Sequence, residues 1–274
     1  MGRMLRLVVC GSAGRMGRRL IALAKVDPAL EITGAVEQMG HVALGSDAGE
    51  IAGIGRIGVP ITDDLGATLM KADVAVAFVN VPSASVDQAR ACAAASKPLV
   101  VGTTGMTPDQ EARFRDAARS IPVVKATNFS IGVTVLLQLV QETAKLLGPS
   151  FDIEIIESHH NLKKDAPSGT ALSLAQAAAK ARGIDLEENA RHGRKGLVGE
   201  RRPTEIGIHA IRAGDIVGQH TVLFGGIGET LELGHRAQSR DTFALGALRA
   251  AKWIVGQPPG YYTMRDVLGI EPIT

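Results

Sequence analysis

One stretch decides the fold of this chain: Val8-Val9-Cys10-Gly11-Ser12-Ala13-Gly14-Arg15-Met16-Gly17-Arg18-Arg19-Leu20-Ile21. It joins an apolar, β-rich run to a helical sequence through three glycines spaced Gly-x-x-Gly-x-x-Gly. Glycines in such a turn allow a tight bend, a close approach of the backbone to a pyrophosphate and close packing of helix on strand. The N–H groups at the start of the helix then attract the pyrophosphate. The stretch therefore predicts a dinucleotide-binding βαβ unit, although the commoner spacing is Gly-x-Gly-x-x-Gly.

A carboxylate follows in the place that such a unit requires. After a second apolar run at residues 32–36, Glu37 lies 20 residues beyond Gly17. An acidic residue at this position binds the ribose hydroxyls of a dinucleotide. The alternative is that Glu37 is merely an exposed residue at a strand end. The order of strand, glycine turn, helix, strand and acid favours nucleotide binding.

Continuous apolar runs mark the strands of a parallel sheet. They occupy residues 5–10, 30–36, 74–79, 99–101 and 123–126, with Ala-rich helical segments between them. Strands covered on both faces have this continuous pattern, and strands separated by helices form right-handed parallel units. The glycine-rich residues 45–60 are predicted to be a surface loop. The loop Gly102-Thr103-Thr104-Gly105 follows the fourth run, where it would either lie beside a ligand crevice or form a plain turn.

The pattern changes after Asn128-Phe129-Ser130-Ile131-Gly132. A helix is predicted next, because the apolar positions between Val133 and Leu147 recur every three or four residues. Strand signals then return at residues 152–155, 205–208 and 230–233 with polar alternation, which predicts a sheet with one apolar face. A helix at residues 170–182 would cover part of that face and another subunit the rest; a last helix, residues 242–255, would return to the first domain. The predicted fold is α/β, a Rossmann-like parallel-sheet dinucleotide domain plus a second α+β domain with an open mixed sheet.

Composition narrows the partners. Lys and Arg total 30 against 28 Asp and Glu, and a net charge of +2 gives no support for a nucleic-acid partner. No apolar run approaches the roughly 20 residues of a membrane span, and no signal-peptide pattern follows Met1. The two thiols, Cys10 and Cys92, have no neighbouring Cys, which fits a reducing compartment and predicts no metal site. We expect a cytoplasmic protein without a nucleic-acid or membrane partner.

A second cluster points to acid–base chemistry: Glu157-Ser158-His159-His160-Asn161-Leu162-Lys163-Lys164-Asp165-Ala166-Pro167-Ser168-Gly169-Thr170. Imidazoles transfer protons near pH 7, lysines hold positive charge, and the first turn of the predicted helix attracts anions. A strand is predicted to end just before the cluster and a helix to begin after it, and functional residues collect in such loops. The cluster predicts a pocket for a carboxylate-bearing substrate that receives a proton. The alternative is a solvated basic loop.

Several motifs together resemble one family. They are Gly11-x-x-Gly14-Arg15-Met16-Gly17, Gly102-Thr103-Thr104-Gly105, Asn128-Phe129-Ser130, His159-His160 with Lys163-x-Asp165-Ala166-Pro167-Ser168-Gly169-Thr170-Ala171, and Arg212-Ala213-Gly214-Asp215-Ile216-Val217-Gly218. The chain resembles the 4-hydroxy-tetrahydrodipicolinate reductases, also called dihydrodipicolinate reductases, of the bacterial and plant diaminopimelate and lysine pathway. The resemblance runs from end to end, and the block between Glu157 and Ala171 is specific to this family.

The resemblance implies an activity and a set of residues. The activity is reduction of a small cyclic dicarboxylate by NADH or NADPH, with release of water. His159 would be the acid–base residue, Lys163 its partner in proton donation, and His160, Gly169 and Thr170 would hold the substrate. Residues 1–130 and 240–274 would form the dinucleotide domain, and residues 131–239 the substrate-binding and oligomerisation domain of a homotetramer. The cofactor would contact Gly11, Ser12, Ala13, Gly14, Arg15, Met16, Glu37, Gln38, Gly102, Thr103, Thr104, Ala126, Thr127, Asn128 and Phe129.

Two positions depart from the family pattern. Many members place an arginine directly after the ribose-binding acid, where it meets the 2′-phosphate of NADPH, whereas this chain has Gln38. Losing one charged hydrogen bond costs about 1.5 to 3 kcal/mol, so we expect use of both cofactors with a preference for NADH, unless Arg15 or Arg18 compensates. The other departure is Phe78-Val79-Asn80-Val81-Pro82, where the family pattern has an Asp-Phe-Thr type of strand end near the nicotinamide.

Two other interpretations stay open. A related two-domain dehydrogenase acting on an acyclic amino acid, such as aspartate, would share the nucleotide half but gives no reason for the block at residues 159–170. A nucleotide-sensing binding protein would have lost the chemistry, whereas His159 and Lys163 are both present.

Overall fold

The computed structural model describes residues 3–271 of the 274-residue chain. In chain order its elements are β1 (Leu5–Cys10), α1 (Arg15–Val26), β2 (Leu30–Val36), α2 (Ala48–Ala52), β3 (Ile61–Thr62), α3 (Leu65–Leu69), β4 (Val74–Ala77), α4 (Pro82–Ala94), β5 (Leu99–Val101), α5 (Pro108–Ala117), β6 (Pro122–Lys125), α6 (Ile131–Leu147), β7 (Asp152–His159), α7 (Gly169–Arg182), α8 (Leu186–Asn189), β8 (Ala190–Arg191), β9 (Ile206–Arg212), β10 (Gly218–Gly225), β11 (Thr230–Ala237), α9 (Asp241–Ile254), β12 (Gly260–Tyr262) and α10 (Met264–Leu268). They form two compact units, one made of residues 3–130 and Arg240–Glu271 and the other of Ile131–Ser239.

The first unit is built on a seven-stranded parallel sheet in the order β12-β6-β5-β4-β1-β2-β3. Its central strands are buried along their length because helices cover both faces, as the continuous apolar runs predict. Helix α1 packs against α9, and Arg19 joins them through two hydrogen bonds, of 2.6 and 2.7 Å, to the Asp241 carboxylate. Helix α9, although it follows the second unit in the chain, thus belongs to the first unit.

The second unit is a five-stranded mixed sheet in the order β11-β10-β7-β9-β8. Strand β10 is antiparallel to β11 and β7, whereas β9 is parallel to β7 and β8. Buried and partly exposed residues alternate along β7 and β10, so one face is apolar. Helices α6 and α7 cover that face, where Leu136, Val140 and Leu174 pack with Ile153, Ile155, Val222 and Phe224 in one core.

The predicted fold class, a Rossmann-like parallel sheet plus an α+β unit with an open mixed sheet, is confirmed. Three details are wrong. Residues 45–60 are not simply a loop, because the Asp47 carboxylate accepts from Gly49 and Glu50 N–H groups and starts α2. Strand β4 ends at Ala77 rather than at residue 79. Strand β7 continues through His159, so the acid–base cluster begins inside a strand.

Within residues 3–271, no helix is long and apolar enough to cross a membrane.

Candidate functional site

Three strand ends meet at the glycine turn of the first unit. Cys10, the last residue of β1, is in register with Val36 on one side and Ala77 on the other. The residues that follow these strands therefore emerge at the same edge of the sheet. Strand β1 is also where the strand order reverses, since the chain continues to β2 on one side and later to β4 on the other. Open α/β sheets bind ligands at such a point.

The glycines have the conformations that a close-fitting turn requires. Gly11 has φ +77°, which side chains rarely adopt, and a Cβ there would clash with the carbonyl of Phe78. A Cβ on Gly17 would overlap the Gly11 carbonyl oxygen and lie 2.7 Å from Ser12 Cα. Gly14 is the N-cap of α1, which has no side-chain cap and no acidic residue in its first turn. The positive end of this helix is therefore open to an anion.

A cleft of about 610 Å³ lies against this turn, entirely within the first unit. Five of the predicted cofactor residues line it: Gly11, Ala13, Gly14, Glu37 and Gln38. The Glu37 carboxylate is fixed by the Ala13 N–H, which donates a 2.8 Å hydrogen bond to Oε1. A glycine turn, an uncapped helix start and a fixed acid after β2 fit the pyrophosphate and ribose of a dinucleotide.

The cleft also includes residues outside the predicted cofactor set. They are Val36, Met39, His41, Asp63, Leu65, Phe78, Val79, Asn80, Val81, Ala84, Asp87, Gln88 and Ala91. Asp63 follows β3, a strand of two residues that is too short to recognise from its pattern. The segment at Phe78 and Asn80 was noticed as a departure from the family pattern, and its position after β4 was a usable signal.

Three other predicted cofactor residues support the segment after β4. Gly102 packs against the Phe78 ring, where a Cβ would overlap ring atoms. Thr103 is buried, and its hydroxyl donates to the Val79 carbonyl oxygen at 3.1 Å. The Phe129 ring, also buried, lies 5.3 Å from that of Phe78, centroid to centroid. Of the remaining predicted cofactor residues, Ser12 is buried, Met16, Ala126 and Asn128 are half-buried, and Arg15, Thr104 and Thr127 are exposed.

In the second unit, His159 lies at the end of β7 beside two charged groups. Its Nδ1 is 2.5 Å from Oε2 of Glu157, which is two residues earlier on the same strand and fully buried. Arg212, the register partner of His159 on β9, donates bonds of 2.9 and 2.8 Å to the two oxygens of Glu157. A carboxylate only accepts hydrogen bonds, so His159 Nδ1 must carry a proton.

The other predicted residues of the cluster lie between the end of β7 and the first turn of α7. Lys163 Nζ donates to both carboxylate oxygens of Asp165, each at 2.8 Å. His160 has a buried Nδ1 without a hydrogen-bond partner among the described residues. Gly169 is exposed, with open space where a Cβ would be, and Thr170 follows it in the first turn of α7. Ser168 caps this helix by accepting from the Ala171 N–H.

Burial and neighbouring charges set the pKa values of this cluster. Burial lowers the pKa of His159, Lys163 and Arg212 lower it further, and Glu157 opposes them; the net pKa lies below the ordinary value. Burial alone would raise the pKa of Glu157, but Arg212, His159 and the Ser168 N–H outweigh it and the pKa is lowered. Burial, with the nearby His159, lowers the pKa of His220 to about 4. Glu157 is therefore ionised at neutral pH, and His159 and His220 are mostly neutral.

Four residues that hold His159 and α7 in place were not among the predicted site residues: Glu157, Ser168, Arg212 and His220. Glu157 and His159 are two apart on a strand and hence on one face, which is a signal available from sequence. Arg212 and His220 come from β9 and β10, whose register with β7 brings Arg212 beside His159 and His220 beside Glu157. Nothing in the local sequence shows that register.

The parallel sheet, the glycine turn and the cleft identify the class of protein: the chain is an oxidoreductase with a Rossmann-like NAD(P)-binding unit. The family model described as "Dihydrodipicolinate reductase, N-terminus" matches residues 5–129, and "Dihydrodipicolinate reductase, C-terminus" matches residues 132–268. The chain therefore belongs to the dihydrodipicolinate reductase family, which confirms the resemblance seen in its motifs.

Individual relatives agree with this assignment. Proteins named 4-hydroxy-tetrahydrodipicolinate reductase from Citrifermentans bemidjiense and Syntrophus aciditrophicus are 49% and 50% identical to it over 268 residues, covering 98% of this chain and 100% of each relative. A structure of dipicolinate-bound dihydrodipicolinate reductase from Paenisporosarcina sp. TG-14 superimposes with a TM-score of 0.76 at 25% identity, covering 95% of this chain and 97% of that one. Amine dehydrogenase from Mycobacterium smegmatis, at 17% identity and a TM-score of 0.58 over 95% of each chain, shares the fold alone.

Proposed function

We propose that this protein reduces 4-hydroxy-tetrahydrodipicolinate to tetrahydrodipicolinate, with release of water, in diaminopimelate and lysine biosynthesis. The supporting observation is that Glu157 accepts hydrogen bonds from both His159 and Ser168, the N-cap of α7, which places His159 and the nearby Lys163 close to the start of that helix. The chain also matches the family along its whole length. A proton donor, a cation and an anion-binding helix start suit a dicarboxylate that gains a proton as it is reduced.

The first unit would hold NADH or NADPH, which supplies the hydride when bound. The turn Gly11, Ser12, Ala13, Gly14, Arg15 and Met16 would bind the pyrophosphate, and Glu37 and Gln38 the adenosine ribose. Gly102, Thr103, Thr104, Ala126, Thr127, Asn128 and Phe129 would form the rest of the site. What supports this is the cleft at Gly11 and Glu37 and the uncapped start of α1.

The second unit would hold the substrate. One carboxylate would bind at the start of α7, on the backbone of Gly169 and Thr170, with His160 as a further contact. Lys163, which pairs with Asp165 in this structure, would turn its ammonium to the negative charge that develops near the ring. His159 would give up the proton on Nε2, because Nδ1 is committed to Glu157.

Gln38 leads us to propose that both cofactors are accepted with a preference for NADH. The side chain is exposed at the edge of the cleft, and it offers no positive charge to a 2′-phosphate. Lys and Arg are absent from the side chains that line this cleft within the described residues, whereas Glu37, Asp63 and Asp87 are among them.

Domain roles follow from these assignments. We propose that residues 1–130 and 240–274 form the dinucleotide-binding domain and residues 131–239 the substrate-binding and oligomerisation domain of a cytoplasmic homotetramer. Residues 1–2 and 272–274 lie outside the described residues. The two-unit division and the open sheet of the second unit support the proposal.

The direct test is to mix the protein with NADH and freshly prepared 4-hydroxy-tetrahydrodipicolinate and to follow the nicotinamide absorbance. We expect oxidation of NADH that depends on both components, with tetrahydrodipicolinate as product. Oxidation with aspartate-derived imine instead would favour an acyclic amino-acid dehydrogenase. Binding of NADH without turnover of either compound would favour a nucleotide sensor.

A further inference from the structure

Glu157 is a fully buried carboxylate with no solvent to stabilise its charge. It has four hydrogen-bond donors instead: both terminal nitrogens of Arg212, the Ser168 N–H at 3.0 Å, and His159 Nδ1. A buried carboxylate is costly unless it is paired and hydrogen-bonded in this way. Arg212 is fixed in turn, since it also donates to the Asp165 and Ile211 carbonyl oxygens at 2.6 and 2.7 Å.

The contact between Glu157 and His159 determines which imidazole nitrogen can react. The carboxylate accepts the Nδ1 proton, so neutral His159 has its lone pair on Nε2, and protonated His159 has its transferable proton there. Near this nitrogen, a Cβ on Gly218 would be 3.2 Å away. A side chain at residue 218 would therefore crowd the one nitrogen that Glu157 leaves unbound.

We propose that Glu157, clamped by Arg212, is a positioning residue that keeps His159 in the Nδ1–H tautomer with Nε2 available for proton transfer. This inference rests on the proposed role of His159 as the acid of the reaction. In this role Glu157 touches neither substrate nor cofactor and acts only through His159.

The charges around His159 make its pKa depend on Glu157. Lys163 in the loop and Arg212 on β9 are positive, His220 on β10 packs edge-on at 5.2 Å between ring centroids, and Asp165 is paired with Lys163. Glu157 is thus the negative group in direct contact with the imidazole. Removing its charge leaves burial and two cations acting on His159, so the imidazole should lose its proton at a lower pH.

Histidine ¹⁵N NMR of the whole protein tests the tautomer directly, with the His159 signals assigned by their loss in His159→Gln. In the wild-type protein we expect neutral His159 with Nδ1 protonated. In Glu157→Gln we expect a mixture of tautomers, because the amide donates as well as accepts, and a pKa lower by about one pH unit or more. Wild-type His159 protonated on Nε2 would overturn the inference whether or not any variant folds.

Kinetics give the functional half of the test. For Glu157→Gln we expect kcat to fall about ten- to a hundred-fold, with little change in KM for NADH and with the alkaline limb of the kcat profile moved to lower pH. Glu157→Asp keeps the charge, so both its kcat and the pH of its alkaline limb should lie between those of Glu157→Gln and the wild-type protein. The control is Glu154→Gln. Glu154 lies on the same strand, and its carboxylate also pairs with arginines and with a histidine, His209, but it does not contact His159. This substitution should leave the profile in place.

Two outcomes separate the role of Glu157 from that of His159. If Glu157→Gln leaves the tautomer, the pKa and the kcat profile of the enzyme unchanged, Glu157 is not a positioning residue. If the NMR changes occur but kcat at every pH stays the same, the proposed role of His159 is wrong.

Discussion

Opposing effects set the pKa of His159. Burial and the cations Lys163 and Arg212 disfavour its protonated form, whereas Glu157 favours it. When the pKa of a catalytic acid is near the working pH, a useful fraction of the acid is protonated and the proton is also transferred readily. A dianionic substrate would add negative charge and raise the pKa of His159 in the complex.

Substituting His159 by Gln tests this residue. We expect kcat to fall about 100-fold or more, since the proton donor is lost, and the Kd for NADH to stay the same, since His159 is not among the residues of the cleft. Stopped-flow measurement of substrate reduction gives kcat, and fluorescence titration with NADH gives the Kd. The control is His192→Gln, an exposed histidine of the same unit. A nearly unchanged kcat in His159→Gln would exclude the role as acid.

Gln38→Arg should change the cofactor preference. The new guanidinium would reach a 2′-phosphate, and a charged hydrogen bond of about 1.5 to 3 kcal/mol corresponds to roughly ten- to a hundred-fold tighter binding of NADPH. NADH binding should change little. Titration with both cofactors measures this, with Met70→Arg, an exposed position outside the cleft, as the control for added charge. Wild-type protein that prefers NADPH by tenfold would contradict the role given to Gln38.

The sequence could predict residues but not their partners. His159, Lys163, Gly169 and Glu37 are recognisable because chemistry-bearing types lie at strand ends and helix starts. Arg212 is 55 residues from Glu157, and only the register of β7 on β9 brings them together. A hydrogen bond between distant strands depends on tertiary pairing, which local patterns do not encode.

Helix α1 packs closely on the glycine turn at Gly17. We expect Gly17→Ala to lower the free energy of unfolding by about 1 to 3 kcal/mol, as overpacking does, because its Cβ would meet backbone atoms of Gly11 and Ser12. The turn would have to move, so NADH should also bind more weakly. Denaturant unfolding and NADH titration measure these effects.

Gly66→Ala is the matched control, a glycine in helix α3 of the same unit. Its Cβ would meet only Asp64 Oδ1 at an ordinary 3.5 Å. Alanine in a helix is favoured over glycine by about 0.5 to 1 kcal/mol, so this variant should be slightly more stable and bind NADH normally. Equal destabilisation by both substitutions would mean that the fit at Gly17 is unimportant.

Elements with a clear apolar pattern were predictable, and elements without one were not. Five of the seven parallel strands were found, because burial on both faces makes them continuously apolar. Strands β3 and β12, of two and three residues, were missed. Helix α6 was found because its apolar face repeats over 17 residues. Helix α2 was missed because a single Asp47 cap, rather than periodicity, starts its five residues. Strand β10 was missed because glycine and polar residues fill its first half and leave an apolar run of only three residues, 222–224.

The two units differ in how acid should affect them. Histidines with lowered pKa values, His159, His220 and His235, all lie in the second unit. Carboxyl groups with lowered pKa values occur in both units, and in the first unit the clearest is Asp73, where the hydrogen bond from Arg6 leads in lowering the pKa to about 2. A lowered pKa means that the unfolded chain binds the proton more readily, so stability is present above the unfolded pKa and is lost as the pH falls toward the folded one.

The second unit should begin to lose stability at a higher pH than the first. His220 titrates near its ordinary pKa of about 6.5 when unfolded and at about 4 when folded, so its contribution, on the order of 3 kcal/mol, should disappear between these values. Asp73 keeps its contribution down to about pH 4 and loses it below, as the pH approaches 2. Between pH 6.5 and 4.5, the second unit should weaken while the first does not.

Hydrogen exchange followed by mass spectrometry separates the two units in the intact protein. As the pH falls from 6.5 to 4.5, and after correction for intrinsic exchange rates, we expect peptides from β7 and β10 to lose protection and those from β1 and β4 to keep it. His220→Gln should remove most of this pH dependence, whereas His192→Gln, at an exposed position, should not. Equal loss of protection in both units would show that the buried histidines do not control acid stability, because His220 contributes only to the second.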